Sequence, residues 1–535
     1  MRDRTDSENN YLRESMIPAA AGIICSIIIM LYRIPLAKIL GTEGISYYTF
    51  TYAVYSIMLI ISSYALPGAI SRLMSVRLMS GKAGDAHRVF GPAMTYACFS
   101  GGAFFIIFYF IAPFISALTG REFLSNTLKA LAPAVWIMAC SGVLRGYFQG
   151  IGAFRLTAVS QIAEQVINGI ASVFLAANMF NYGYKADLIY DDTGFAPSYG
   201  AAGATYGLSC GALFALLFLT ALYFSQRGRL YSLERGHRGK KTESLSHIRL
   251  AFSRTAFPVI IWAILFNITV PADDIIFNLT ASFSGSDISA LSLWGSFGKF
   301  LTFFYIAQLA ANSPGAILIP VISDGAARRD KRTIVSAIIS GFKTVFNSAV
   351  PLCVAIAALA DPLCRLLFGP EDIELVRVLT SSGSVFILLF VLATVSTNIL
   401  QGLGHVSEPL MNTVTGLIIH VVLLLALILG FKLGIYAVIW ANAIFYAVIF
   451  LLNIMCIRRH VKFRYRLYRG FLSPFLRSFL AGAVVYGLNL LLKLVFPELF
   501  YESRPGLFIV TAVCVFLFGT IYASLGTFFP SRRMR

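Results

Sequence analysis

The string Pro67-Gly68-Ala69-Ile70 returns letter for letter as Pro314-Gly315-Ala316-Ile317, and Gln149-Gly150-Ile151-Gly152 returns as Gln401-Gly402-Leu403-Gly404. Pro113 and Gly120 recur, at the same spacing, as Pro362 and Gly369. All three recurrences lie about 250 residues apart, so the chain is two copies of one half in tandem. Ile17-Pro18 and Phe257-Pro258 open the two copies in the same way, and Pro35 and Pro271 follow in each opening span. A proline inside a span removes a backbone hydrogen bond and bends the helix, so each copy starts with a bent helix.

What one copy folds into follows from its composition. The chain is 58% hydrophobic and only 13% charged, with a mean hydropathy of +0.76; soluble proteins carry roughly 25% charged residues. Apolar runs fall near residues 15–40, 46–71, 89–118, 128–150, 156–180, 200–226, 250–279, 290–322, 333–360, 376–402, 408–430, 433–457, 473–496 and 506–528. These predict an all-α integral membrane protein of about 14 transmembrane helices; the shorter alternation of barrel strands is not seen. The first run starts near Met16 and passes Arg33 with no small-residue cleavage site, so it reads as a retained span and not a removed signal. Six spans per copy is an even number, so both copies enter from one side and form parallel repeats, with a cleft expected between two bundles. The boundaries read as an amino-terminal six-helix lobe at 1–227, a basic linker at 228–249, a second six-helix lobe at 250–457, and an unduplicated helix pair with its tail at 458–535.

The net charge of +18 is a topology signal. Arginine and lysine concentrate in alternate connections: Arg72 to Arg88, Arg227 to Arg254, Arg328 to Arg332, and Arg458 to Arg477, besides Arg2, Arg4, Arg13 and Arg532, Arg533, Arg535. The positive-inside rule then places both termini in the cytoplasm. The excess attracts anionic lipid headgroups, and no nucleic-acid partner is expected. Gly239-Lys240-Lys241-Thr242 imitates a phosphate loop, but Glu234 stands where the pattern needs its first glycine. Eight cysteines without a CxxC pair and six histidines without ligand spacing predict no metal and no cofactor. No nucleophile elbow is present, and nothing predicts an enzyme. The longest outer loop, around Tyr182 to Tyr199, holds Asp187, Asp191 and Asp192 without obvious partners.

Charges inside spans are costly, and normally face a partner or a cavity. The candidates are Arg33 in the first span, Glu164 with Gln161 and Gln165 in the fifth, Asp273 and Asp274 in the seventh, and Lys299 in the eighth, with Arg72 and Arg145 near inner ends. Arg33 and Asp273 occupy equivalent places in the two copies, which suggests a gate that closes when they approach. Arg33, Arg72, Lys299 and Arg145 give a cationic bias suited to a pyrophosphate. Asp273, Asp274 or Glu164 would instead bind a coupling ion, sodium or a proton.

Leu144-Arg145-Gly146-Tyr147-Phe148-Gln149-Gly150, followed by Ala158-Val159-Ser160-Gln161 and Glu164-Gln165, resembles the SpoVB-like polysaccharide-transporter family of the MOP exporter superfamily. Leu40-Gly41-Thr42-Glu43-Gly44 with Tyr47, Leu66 to Leu73, and Ala201-Ala202-Gly203-Ala204 fit the same pattern. The resemblance implies two six-helix lobes in a V plus two extra helices, in the bacterial cytoplasmic membrane, with the MurJ lipid II flippases and MATE drug exporters as relatives. It implies a monomer that moves a lipid-linked oligosaccharide from inner to outer leaflet, with Arg33 and Arg72 at places comparable to cavity arginines and the last two helices forming a groove for the lipid tail. MurJ-like first spans offer more than one arginine; this one has Arg33 and then Lys38. A MATE-like drug or cation antiporter, and a membrane glycosyltransferase or polymerase acting on the same lipids, are the other readings.

Overall fold

The computed structural model describes residues 17–80, 83–235, 244–280, 289–369, 373–461, 467–501 and 503–528. Arg2, Arg4 and Arg13, the Gly239-Lys240-Lys241-Thr242 string, and Arg532, Arg533 and Arg535 lie outside the described residues, as do residues 462–466 of the basic segment before the last helix pair.

Every regular element among the described residues is helical. In chain order they are α1 (Ile17–Ile60), α2 (Leu66–Met79), α3 (Ala83–His87), α4 (Phe90–Leu118), α5 (Leu124–Gly150), α6 (Phe154–Tyr190) and α7 (Phe195–Arg235), then α8 (Leu245–Asn267), α9 (Thr269–Thr280) and α10 (Ala290–Ala327). They continue with α11 (Lys331–Ala358), α12 (Ala360–Phe368), α13 (Ile373–Gly402), α14 (Ser407–Leu425), α15 (Tyr436–Val461), α16 (Leu467–Val495), α17 (Pro497–Phe500) and α18 (Arg504–Phe528). Among the described residues, 12 helical runs are long and apolar enough to cross a membrane, against the expectation of about 14.

The first of those runs, Ala20–Leu78, is not one rod. In a straight helix residues 33 and 52 would stand about 28 Å apart, yet the Arg33 guanidinium lies 4.2 Å from the Tyr52 ring centre. The chain therefore doubles back at Gly41, whose φ of 63° and ψ of −172° suit a residue with no Cβ. The two arms of α1 are thus the first two expected spans, joined with almost no loop. The second arm runs through a single π-turn, Ile61–Ala65, into α2.

The expected outer loop around Tyr182 to Tyr199 contracts. α6 continues to Tyr190 and α7 begins at Phe195, leaving residues 191–194 as the connection. Asp187, expected to lack a partner, accepts from the backbone N–H groups of Phe195 (2.8 Å) and Ala196 (3.0 Å), so it satisfies the open amino end of α7. The seventh span breaks where proline demands it. Pro271 has no N–H to offer the carbonyl of Asn267, and α8 ends at that residue. At the start of α11 the Asp330 carboxylate accepts from the Thr333 hydroxyl (2.6 Å) and from the N–H groups of Arg332 and Thr333, which holds it below the usual carboxylate range.

Packing divides the chain into two compact units, Met1–Ser282 with Ala290–Gly295, and Phe283–Ser289 with Ser296–Arg535. That boundary does not coincide with the linker at 228–249. Ile248, Phe252 and Ala256 of α8 share one buried cluster with Leu66, Ala69, Ile70, Met74, Val89 and Ala93, so the apolar face of α8 is used up within the first unit.

The repeated strings turn out to be packing motifs. Gly142, Gly146 and Gly150 form a stripe at four-residue spacing along α5, pressed against the π-turn and α2. A Cβ at Gly142 would come within 2.9 Å of the Ser62 carbonyl, at Gly146 within 2.8 Å of the Ile70 Cβ, and at Gly150 within 2.8 Å of the Met74 Cβ. In the second unit Gly402 keeps the equivalent contact, with Ile322 and Ile319 of α10. Also in the second unit, the unduplicated pair α16 and α18 packs against α11 and α12 through Leu359, Ala481, Val485, Leu507, Val510 and Phe518. Lys493 of α16 donates to Asp361 of α12 at 3.0 Å, and Arg365 meets the same carboxylate at 3.3 Å.

The glycine stripe makes a direct prediction. Gly146→Val should lower stability by about 1–3 kcal/mol through overpacking, whereas Gly68→Ala, where an added Cβ meets nothing within 4 Å, should not. Thermal unfolding of the detergent-solubilised protein measures both.

Candidate functional site

In the first unit, buried charge is organised along the second arm of α1. Ser46, Tyr48, Tyr52 and Tyr55 follow one another on it and Ser63 continues the row in the π-turn, over about 25 Å in all, and three guanidinium groups stand along them.

At one end is Arg121, from the short connection between α4 and α5. The chain turns there at Gly120, whose φ is 65°. Arg121 donates through Nη2 to Asp274 Oδ1 of α9 at 2.7 Å and through Nη1 to the Ser46 hydroxyl at 3.3 Å. Asn278, one turn further along α9, also donates to Asp274 Oδ1, at 2.6 Å. Asp273 and Asp274 are fully buried. Asp274 Oδ2 and Arg121 Nε make no hydrogen bond, so this pair retains an acceptor and a donor.

The middle of the row is Arg33, on the first arm of α1 and buried. Its guanidinium lies 4.2 Å from the ring centre of Tyr52 and 5.6 Å from that of Tyr48. Two aromatic faces thus support the cation by their quadrupoles, an interaction that strengthens when water is excluded. The Gly41 reversal is what delivers it there, by folding the first arm onto the tyrosine face of the second.

At the far end Arg145 of α5, fully buried, pairs with Glu164 of α6. Its Nη1 also donates to the Ser63 hydroxyl at 3.0 Å and its Nε to the Ser160 hydroxyl at 3.4 Å, while the Tyr55 hydroxyl donates to the other Glu164 oxygen at 3.4 Å. Five side chains, from α1, the π-turn, α5 and α6, share this network. Gln161, one turn before Gln165 on α6, is buried with both amide atoms lacking a hydrogen-bond partner. Gln165 accepts from Asn168, whose carbonyl oxygen accepts from the Ser172 hydroxyl. That face of α6 is polar for about three turns.

The structure thus brings together residues expected to have separate roles. Arg145, expected as a headgroup contact, and Glu164, expected as an ion-coupling carboxylate, are one ion pair. The carboxylate beside Asp273 is held by Arg121, which the sequence reading passed over. It lies directly after the repeated Gly120, in a connection where a charge is ordinary, and only the fold carries it inward. Arg72 is exposed on α2. Lys299 is buried on α10, in the second unit.

The polysaccharide biosynthesis protein family matches residues 11–326, more than half of the chain. The chain belongs to that family. The resemblance to SpoVB-like transporters holds over most of its length. Stage V sporulation protein B of Bacillus subtilis (strain 168) is 24% identical over 438 residues, 80% of either chain. Lipid II flippase MurJ of the same organism is 23% identical over 476 residues, 86% of this chain and 84% of that one. Among solved structures, lipid II flippase MurJ in an inward closed conformation superposes with a TM-score of 0.64 at 13% identity, covering 95% of this chain and 98% of that one. An inward-facing multidrug MATE transporter of the MOP superfamily gives 0.63 at 16% identity, over 84% of this chain and 96% of that one. The all-helical fold is therefore the one shared by the MOP superfamily.

Breaking the Arg145–Glu164 pair leaves an uncompensated buried charge. Arg145→Met or Glu164→Leu alone should each cost about 3–5 kcal/mol, and the double variant should recover part of that loss. Unfolding of the three variants beside the parent checks the coupling.

Proposed function

We propose that this protein carries a lipid-linked sugar, of the undecaprenyl-pyrophosphate type exemplified by lipid II, from the inner to the outer leaflet of the bacterial cytoplasmic membrane. The observation that carries the reading is the row of buried arginines, Arg33, Arg121 and Arg145, along one tyrosine-rich helix arm. Guanidinium groups in a low-dielectric interior suit a diphosphate, which accepts several charge-assisted hydrogen bonds at once. Similarity to lipid II flippase MurJ and stage V sporulation protein B supports the same substrate class.

In this reading Arg33 contacts the headgroup, Arg72 and Lys299 supply further positive charge, and Arg145 positions the helices behind it. The prenyl tail stays in lipid while the headgroup is exposed alternately to either side. A negative-inside potential favours outward movement by about 2.3 kcal/mol per phosphate charge per 100 mV. Asp273, Asp274 and Glu164 are the candidates for coupling to sodium or a proton. The protein works as a monomer with both termini in the cytoplasm, and has no nucleic-acid partner.

The two other readings fit the site less well. A drug or cation antiporter of the MATE kind needs carboxylates dominating a surface open to a bulky organic cation, whereas Asp274 and Glu164 are buried and face arginine, an arrangement that leaves room only for a proton or a small ion. A glycosyltransferase or polymerase needs a loop large enough for a catalytic centre, and the loop expected to be the longest on the outer side contracts to residues 191–194.

The test is the exposure of labelled lipid II on the outer leaflet of cells depleted of the native flippase and re-expressing this chain. The parent should restore exposure, Arg33→Ala should reduce it at least tenfold, and Arg33→Lys should retain part. Full restoration by Arg33→Ala would overturn the role given to the buried cation. No restoration by the well-folded parent would overturn the substrate.

A further inference from the structure

Away from the arginine row, in the second unit, three side chains converge whose spacing along the chain shows no link between them. His405 lies in the short connection after α13, Glu408 in the first turn of α14 and His460 in the last turn of α15. Each offers a ligand atom, and those atoms all lie within 4.8 Å of one another. His460 Nε2 is 2.6 Å from Glu408 Oε1, and His405 Nδ1 is 3.8 Å from that same oxygen. The two imidazoles are stacked, with ring centres 3.8 Å apart and planes inclined by 16°. Two ring nitrogens therefore point at one carboxylate from the same side, while Glu408 Oε2 is buried without a hydrogen bond.

We propose that His405, Glu408 and His460 form a binding site for a divalent transition-metal ion of the zinc class. Two imidazoles and one carboxylate suit zinc and its neighbours, whereas calcium and magnesium require all-oxygen surroundings. A dication in that place satisfies both nitrogens and both carboxylate oxygens together. The Cys456 thiol lies beside Glu408, one helical turn before His460 on α15.

The surroundings are those of a supported site. Asn412, one turn after Glu408 on α14, donates to Asn453 Oδ1 at 2.9 Å and reaches the Cys456 sulfur at 3.6 Å. Asn453 is fully buried and donates in turn to the hydroxyls of Ser396 (3.1 Å) and Thr397 (2.9 Å) on α13. The α14 and α15 faces that carry the ligands are therefore fixed by a polar network running into the core, as outer-shell groups fix metal ligands elsewhere. The ligands are only partly buried, with side-chain exposures of 42%, 29% and 27% for His405, Glu408 and His460, so an ion can enter from solution. Bound there, it would join the α13–α14 connection to the end of α15.

The full-length protein, purified in detergent with its affinity tag removed, is equilibrated with Zn²⁺, desalted, and assayed for metal by mass spectrometry. The expected result is one tightly held zinc per chain, undiminished by excess Mg²⁺ or Ca²⁺. The His405→Ala/His460→Ala double variant and Glu408→Gln should each lower retention at least tenfold. X-ray absorption of the loaded parent should show two imidazole nitrogens in its shell. Equal retention by parent and double variant, no retention by the parent, or a shell without imidazole would each overturn the proposal. Chelator-treated variants should elute and unfold like the chelator-treated parent; if they misfold, the absorption spectrum of the parent decides alone.

Discussion

A guanidinium group taken into a helix bundle in a membrane has to bring its partners with it, and the first unit is assembled around that requirement. Arg121, Arg33 and Arg145 come from three different segments, and each is answered by the second arm of α1 or the π-turn that continues it: Ser46 for the first, tyrosine faces for the second, and Ser63 for the third, whose partner Glu164 accepts from Tyr55. Breaking a buried pair by removing one partner costs several kcal/mol because it strands a charge. The arrangement is therefore specific. Sliding the arm by one residue would turn its polar positions away from every arginine at once, since successive residues on a helix are rotated by about 100°.

The glycine stripe on α5 is the apolar counterpart of this constraint. In lipid, helices gain little from simply hiding apolar surface from one another, and close backbone approach supplies the dispersion contacts instead. Gly142, Gly146 and Gly150 bring α5 against the π-turn and α2, and Arg145 sits within that same stretch. The helix that carries a buried charge is thus also one packed closely through small residues. Ser62 and Ser63 sit in the π-turn where both effects meet. Ser62 limits a Cβ at Gly142, and Ser63 receives the Arg145 guanidinium.

Much of this was legible from the chain alone, for identifiable reasons. Helix positions follow from apolar runs of bilayer length, and the repeated Gln-Gly string marks a close packing contact in both units, at Gly150 and at Gly402; the side chains of Pro314 to Ile317 lie outside the described residues. Arg33, Glu164, Asp273 and Asp274 stood out because a charge inside an apolar run requires a partner. Which partner was not legible, because pairing is set by how helices distant in sequence lie together: Arg145 meets Glu164 across the α5–α6 turn, and Asp274 meets an arginine from an earlier connection. The break at Pro271 was visible. The contraction of the Tyr182 to Tyr199 segment was not, since its polar residues read as loop until Asp187 is seen closing the end of α7. The histidines hid for a related reason, as ligand spacing is visible only when ligands share a helix and His405 and His460 do not.

The Gly41 reversal also sets a mechanical relation. With no loop between them, the two arms of α1 share a single pivot, and Arg33 lies eight residues from it on the first arm, a lever of about 12 Å. A swing of about 10° at that pivot displaces the guanidinium by about 2 Å along the tyrosine face, more than the rise of one helical residue and over a third of the 5.5 Å between the Tyr48 and Tyr52 ring centres. A small angular change at a glycine is thereby geared into a whole-residue shift of a buried positive charge, with both arms remaining helical throughout.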